Sequence, residues 1–339
     1  MFVGITAQSQ DISLELLGTY ATNIFDEGAA EIVAHDPATQ RLFVANGDSK
    51  AVDALDIQDP ANPTLLFSID ITPYGDGING VAVGNGLVAA AVEADPATDP
   101  GQIVIFDTDG NFQNAFEAGA LPDAVAFTSD GNYVLSANEG EPNDEYTIDP
   151  EGSVTIVHLP TQTVSHATFE KFNGRKKAFN AQGIRIFGPG ATVAQDLEPE
   201  SIAISGDDKK AYITLQENNA YAIIDIASAT VSKIIGFGEK DHGKVGNGFD
   251  ASDRDDIIDI KPWKRVYGMY QPDAIASFVV NGKEFLITAN EGDARDYDGF
   301  SEETRIEDVE LLFPGGDLQN EENLGRLTIT NEAITNTRG

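Results

Sequence analysis

Two stretches hold the residues best suited to chemistry. "SANEGEPNDEY" runs from Ser136 to Tyr146 and "ITANEGDARDYDG" from Ile287 to Gly299, so one acidic phrase opening Ala-Asn-Glu-Gly is written twice. Clustered carboxylates without His or Cys are hard oxygen ligands, which favour Ca2+ or Mg2+ over zinc, and flexible surroundings favour Ca2+. Such a cluster, once loaded, neutralises phosphate and lowers the pKa of a bound water, so no side-chain nucleophile is required. In "DARDYDG" the spacing of Asp293, Asp296 and Asp298 lacks the D-x-D-x-D-G register and terminal Glu of an EF-hand loop. "DASDRDD", with Asp250, Asp253, Asp255 and Asp256, reads as a solvated loop, and "EADPATD", with Glu93, Asp95 and Asp99, as a turn.

A phosphate would also call for a basic clamp. Arg295 and Arg305 are the candidate substrate-binding residues, with Arg254, Lys261, Lys264 and Arg265 nearby; in so acidic a chain each reads first as an ion-pair partner and second as a clamp. Of the four histidines, His242 sits in a loop within reach of a ligand and His158 on a strand pattern. No G-x-S-x-G elbow, H-E-x-x-H helix or phosphate-cradling glycine motif occurs, so no catalytic residue is assigned.

The 339 residues include 56 Asp plus Glu against 21 Lys plus Arg, a net charge of −35. That balance argues against nucleic acid or an anionic membrane as partner, both of which demand basic surface. Cysteine is absent, which excludes disulfides and thiolate metal sites. No run approaches the ~18 apolar residues of a membrane span, and "MFVGITAQSQ" has no signal-peptide pattern.

What positions the acidic phrases is a repeat. "PDAVAFTSDGNYVLSANEGEP" from Pro122, "PESIAISGDDKKAYITLQENN" from Pro199 and "PDAIASFVVNGKEFLITANEGD" from Pro272 are copies of one β-hairpin pattern, preceded by weaker copies from Ala30 and Ile78. Two further strand patterns follow each of the first four, giving four strands per unit. Leu42, Leu87 and Tyr133 are 45 and 46 residues apart, the spacing of propeller blades. Gaps of 79 and 73 residues to Tyr212 and Phe285 mark two inserted loops, the first long enough for a short helix. The fifth copy predicts "NLGRLTIT" as its third strand, and "ISLELLGTY" is a candidate N-terminal strand completing a small ring. The fold class is therefore all-β, a β-propeller of four-stranded blades with five repeats visible, read as one domain over residues 1–339.

Aligning the hairpins gives two sets of positions on one face. Glu31, Asn79, Asp123, Glu200 and Asp273 begin the innermost strands, and Gly47, Glu93, Glu139, Glu217 and Glu291 follow the second strands. First strands line a propeller's channel, so these carboxylates should converge and repel one another unless protonated or bridged by cations. Glu31, Asp123, Glu200, Asp273, Glu93, Glu139, Glu217, Glu291 and Asp293 are thus the candidate metal ligands, with Ca2+ the expected cofactor. Each taken singly also suits a turn by accepting backbone N–H groups.

"GTYATNIFDEGAAEIVAHDPATQRLFVAN", "QDLEPESIAISGDDKKAYITLQENNAYAIIDIASATV", "GNGFDASDRDD", "GMYQPDAIASF" and "TANEGDARDYDGFSEETR" closely resemble the choice-of-anchor I family of bacterial propellers, from about Leu14 onward. The resemblance implies kinship with phytase-like propellers, a seven-bladed ring with further blades after "ENLGRLTIT", and an extracellular, periplasmic or cell-surface location. It also implies a metal-dependent phosphoric monoester hydrolase acting on a phosphorylated small molecule, and a companion C-terminal fragment that completes the ring. Two other readings stay open: a non-enzymatic module binding an extracellular ligand, and an architectural module within a larger surface protein.

Overall fold

Alternating apolar and polar residues, interrupted by turn formers, close into antiparallel meanders in the computed structural model, which describes residues 13–25, 28–309 and 316–332. The first sheet runs β1 (Val33–Asp36), β2 (Arg41–Asn46), β3 (Ala51–Asp56), β4 (Thr64–Asp70). The second is β5 (Gly77–Gly84), β6 (Leu87–Glu93), β7 (Pro100–Asp107), β8 (Phe112–Ala120), and the third β9 (Pro122–Phe127), β10 (Tyr133–Asn138), β11 (Ser153–His158), β12 (Thr163–Thr168). The fourth is β13 (Pro199–Ile204), β14 (Lys210–Leu215), β15 (Ala220–Asp225), β16 (Thr230–Gly236). Local chemistry makes the turns. Between β1 and β2, Asp36 accepts the N–H groups of Ala38 at 3.2 Å and Thr39 at 3.3 Å, while Gln40 takes a φ of 55°.

The sheets pack face to face in chain order, as blades do. Phe43, Ala45 and Val52 of the first sheet meet Val81, Val88 and Val104 of the second in one apolar layer. Ala89, Ile103 and Ile105 meet Val125, Val134 and Val157 in the next, and Leu135, Val154 and Ile156 meet Ala211, Ile213 and Ala222 after that. First strands stand side by side: β1 by β5, β5 by β9, β9 by β13, β13 by β19 (Pro272–Val280). The junctions are tight. A Cβ on Gly152 would lie 2.0 Å from the Leu197 carbonyl oxygen and 2.6 Å from Pro199, so only glycine fits where the third sheet abuts the fourth.

The first inserted loop carries a 3-10 turn (Glu170–Arg175) and two short helices, α1 (Lys176–Asn180) and α2 (Val193–Asp196), and buries Phe172, Phe179, Ile184 and Ile186 against the third and fourth sheets. The second lies between β17 (Glu239–Asp241) and β18 (Tyr267–Met269), which pair with each other. The fifth sheet has two strands, β19 and β20 (Lys283–Asn290). Beyond it come the small ladders β21 (Asp296–Tyr297) with β22 (Phe300–Ser301), and β23 (Glu303–Arg305) with β24 (Thr328–Thr330).

Two expectations are corrected. The "LTIT" segment pairs with Glu303–Arg305 and not with the fifth sheet. The reason is Glu302, fully buried, whose carbonyl accepts the Asn331 N–H at 2.8 Å and whose carboxylate takes the Thr330 hydroxyl, holding that segment away from β20. The described part of "ISLELLGTY", Ser13–Tyr20, forms no strand; Gly18 and Tyr20 instead line a groove of about 670 Å3 against Val33, Leu42 and Val44.

Candidate functional site

In three of the five innermost strands the acidic position sits on a β-bulge. Asn138 pairs with Pro122 and Ser136 with Val125, so the first strand spends one residue more than its partner around Asp123. The same surplus falls around Glu200, between Pro199 and Ile202, and at Asp273, between Pro272 and Ala274; Asn79 shares it, between Ile78 and Gly80. A bulge re-aims the extra side chain, and here the residue re-aimed is the acidic one. Two members of the second set are fixed by the turns that precede Pro122 and Pro272. The Glu139 N–H donates to the Leu121 carbonyl at 2.9 Å and the Glu291 N–H to the Gln271 carbonyl at 3.2 Å, from residues with φ of 48° and 37°.

Four predicted residues come together: Asp123, Glu139, Glu200 and Glu217. Burial pushes Asp123 up to about 7, with the charges of Asp273, Glu141 and Glu31 adding to the rise. Burial also raises Glu217 to about 7, opposed by Arg295. Glu139 stands well above the usual range through burial and then Asp123, Glu141 and Glu217; Glu200 does so through burial and then Glu217, Glu139 and Asp123. Glu200 and Glu217, 9% and 6% exposed, each keep an Oε2 with no hydrogen-bond partner. Among the described residues no three acidic side chains are already gathered as a metal cage. Mutual repulsion spreads such groups when nothing positive stands between them.

The remaining predicted ligands lie around this centre. Asp273, raised by burial and by Glu291, and Glu31 face it through Asp123 and are themselves exposed. Glu291 accepts from Gln216 Nε2 at 3.3 Å, and the exposed Asp293 bears on Glu217. Glu93 is turned to Asn79, whose amide donates to it at 3.3 Å. The conspicuous amides act as braces: Asn46 donates to Asp53 at 2.9 Å, and Asn138 to Thr155 at 2.9 Å.

Arg295 is 2% exposed. Its guanidinium reaches Glu198 at 2.8 Å, the Asp196 carboxylate, and the Asp196 carbonyl at 2.9 Å, and lies 4.6 Å over the Phe187 ring. Arg185 covers the same ring at 4.0 Å, pairs with Glu302, and donates to the Glu217 carbonyl at 2.8 Å. Arg295 is thus an internal ion-pair partner. Arg305 stands elsewhere, beside an open cavity of about 360 Å3 with Asp250, Ser252, Asp253 and Arg326, where Arg326 grips Asp253 at 2.5 and 3.2 Å. His242 bonds the Asn247 carbonyl at 2.7 Å and packs on Phe249.

Glu141, Glu198 and Asp196 belong to this centre and were not singled out from the sequence. Glu141 accepts from the Tyr297 hydroxyl at 3.0 Å, and Tyr146 meets Tyr297 and Phe300 at 5.6 and 5.4 Å between centroids. The two copies of the acidic phrase therefore touch each other. The only sequence signal was that shared phrase, since Asp196 and Glu198 lie in the inserted loop outside the repeat.

The choice-of-anchor I domain model matches residues 31–338. The chain belongs to the choice-of-anchor I family. No curated protein matches this family member. Among solved structures, a nidogen/laminin complex is similar at 14% identity and a TM-score of 0.40, over 62% of this chain and 65% of that one. A Kuenenia stuttgartiensis hydrazine synthase is similar at 14% identity and 0.39, over 77% and 80%. A functionally unknown protein from Desulfotomaculum acetoxidans DSM 771 stands at 14% and 0.41, over 62% and 58%. Among the described residues of this choice-of-anchor I chain, no helix is long and apolar enough to cross a membrane.

Proposed function

We propose that this protein is an extracellular or surface-associated binding module that holds a divalent cation of the Ca2+ class where its third and fourth sheets meet. The orphaned Oε2 atoms of Glu200 and Glu217 carry this reading. A buried carboxylate oxygen without a partner is costly, and a hard cation offsets that cost while cancelling the repulsion from Glu139 and Asp123. Glu200 and Glu217 would hold the ion and Glu139 and Asp123 draw in beside it. Glu31, Asp273, Glu291 and Asp293 supply a negative approach from the outer side. Any coordination position left open to solvent suits an anionic or carbonyl-bearing extracellular ligand, a phosphorylated small molecule included.

Binding is favoured over phosphate-ester hydrolysis because the guanidinium groups beside the centre are spent, Arg295 on Asp196 and Glu198 and Arg185 on Glu302. Thermal unfolding in chelator, then with Ca2+ or Mg2+, tests the cation. At a hundredfold excess over Kd the gain is about 2.7 kcal/mol, so a rise on the order of 5 °C is expected with Ca2+. Glu200→Gln and Glu217→Gln should abolish that rise; equal midpoints in chelator and Ca2+ would sink the reading. Ca2+-dependent hydrolysis of an aryl phosphate or phytate, lost in Glu217→Gln, would move it to a phosphoesterase.

A further inference from the structure

Among the described residues four buried carboxylate oxygens have no hydrogen-bond partner, and Glu200 and Glu217 account for only two of them. The others are Asp149 Oδ1 and Asp196 Oδ2. Arg295 stands between the two pairs: its Nη2 meets Glu198, which feels the charge of Glu217, and its Nη1 meets Asp196 Oδ1. Asp196 Oδ2 is left unmet in a residue 1% exposed. Local bonds bring Asp149 to the same place. Asn143 Oδ1 accepts the N–H groups of Thr147 and Ile148, each at 2.8 Å, which fixes the turn ahead of Asp149. The Asp149 carbonyl then accepts from Gln195 Nε2 at 2.7 Å, and the Gly152 N–H donates to the Ala194 carbonyl at 3.0 Å, so residues 149–152 lie along α2. Tyr146 completes the group. The Gly188 N–H donates to Asp196 Oδ1 at 3.2 Å, and a Cβ on Gly188 would lie 2.9 Å from the Tyr146 hydroxyl oxygen.

Carboxylate oxygens shut away from water without a donor are costly. Burial raises Asp149 to about 6, opposed by Arg295 and reinforced by Asp196, so the two aspartates feel each other's charge. A bridging water would give each oxygen a proton to accept and leave their repulsion in place, whereas a cation removes both costs. We infer that a second cation of the Ca2+ class is held between Asp149 Oδ1 and Asp196 Oδ2, with the Tyr146 hydroxyl beside it. Asp149 is half-buried, which gives the ion a way in and lets water fill the rest of its shell. Affinity falls as charged ligands become fewer, and here Arg295 opposes two carboxylates, so binding belongs at roughly 0.1–1 mM. The ion therefore adds little stability at the lower Ca2+ concentrations that fill the site at Glu200 and Glu217, and it does not depend on that site.

Calorimetric titration of Ca2+ into the whole, chelator-stripped protein tests this, in about 0.5 M NaCl to screen diffuse attraction to the acidic surface. Two ions per chain are expected, one at least tenfold weaker than the other. Asp149→Asn should remove the weaker ion alone, and Glu217→Gln the tighter one alone. Tyr146→Phe, an independent variant, should weaken the weaker ion several-fold and leave the tighter one unchanged. Asp144→Asn removes the same charge from an exposed neighbour in that loop and should change neither. The inference is overturned if the only ion bound is the one lost in Glu217→Gln, if the weaker ion is unchanged in Asp149→Asn or Tyr146→Phe, or if Asp144→Asn weakens it as much. A single ion that is lost in Asp149→Asn and kept in Glu217→Gln would instead overturn the reading at Glu200 and Glu217 and leave this one standing.

Discussion

Glu200 and Glu217 show how one residue type serves opposite ends. On the surface a carboxylate of this chain makes a turn: Asp107 accepts from Asn111 and Asp130 from Thr128 and Asn132, and these bonds hold both carboxyls below the usual range. Buried at the acidic centre the same group is raised, because burial and like charges disfavour ionisation. The sign of the pH dependence follows. Groups whose folded pKa exceeds the unfolded value bind protons more tightly when folded, so stability is full below about pH 4 for these sites and is lost as pH rises through about 7, where Asp123 and Glu217 titrate. In chelator the melting midpoint should therefore fall between pH 5 and pH 8, and Ca2+ should remove most of the fall. Glu217→Gln in chelator at pH 8 should melt higher than the parent, since the amide keeps the shape and drops the charge; a lower midpoint would show that the carboxylate is already compensated.

At the scale of elements, the bulges and the inserted loop decide the site. The hairpin register alone would alternate side chains without setting where the acidic one points; the surplus residue around Asp123, Glu200 and Asp273 does that. The loop after the fifth sheet is locked to the first insertion by Arg295 with Asp196 and Glu198, and by Arg185 with Glu302. Breaking one buried partner leaves its mate uncompensated, so Arg295→Met should cost about 3–5 kcal/mol. Arg295→Met with Asp196→Asn and Glu198→Gln should recover a large part of that loss in denaturant unfolding, whereas simple additivity of the three changes would refute a shared network. Gly152→Ala should destabilise strongly because the Leu197 carbonyl already occupies the space its Cβ needs.

For the molecule as a whole, a net charge of −35 makes the compact state self-repelling. Raising NaCl from about 20 to 500 mM, which shortens screening from roughly 20 Å to under 5 Å, should raise the melting midpoint in chelator, and Ca2+ should do so at far lower concentration. An equal response to Na+ and Ca2+ at matched ionic strength would leave only diffuse screening. The sequence by itself determined the all-β repeat, the strands of the first four sheets and the shared face of the acidic positions, because period-two patterning and turn chemistry are local. It also displayed the phrase joining Glu139 to Glu291. The bulges that aim the acidic side chains, the entry of Asp196, Glu198 and Glu141 into the centre, the use of Arg295 as an internal partner, and the pairing of Thr328–Thr330 with Glu303–Arg305 were decided only by tertiary structure. Each depends on which distant groups share a buried space, and burial sets both the cost of a charge and the partner it must find.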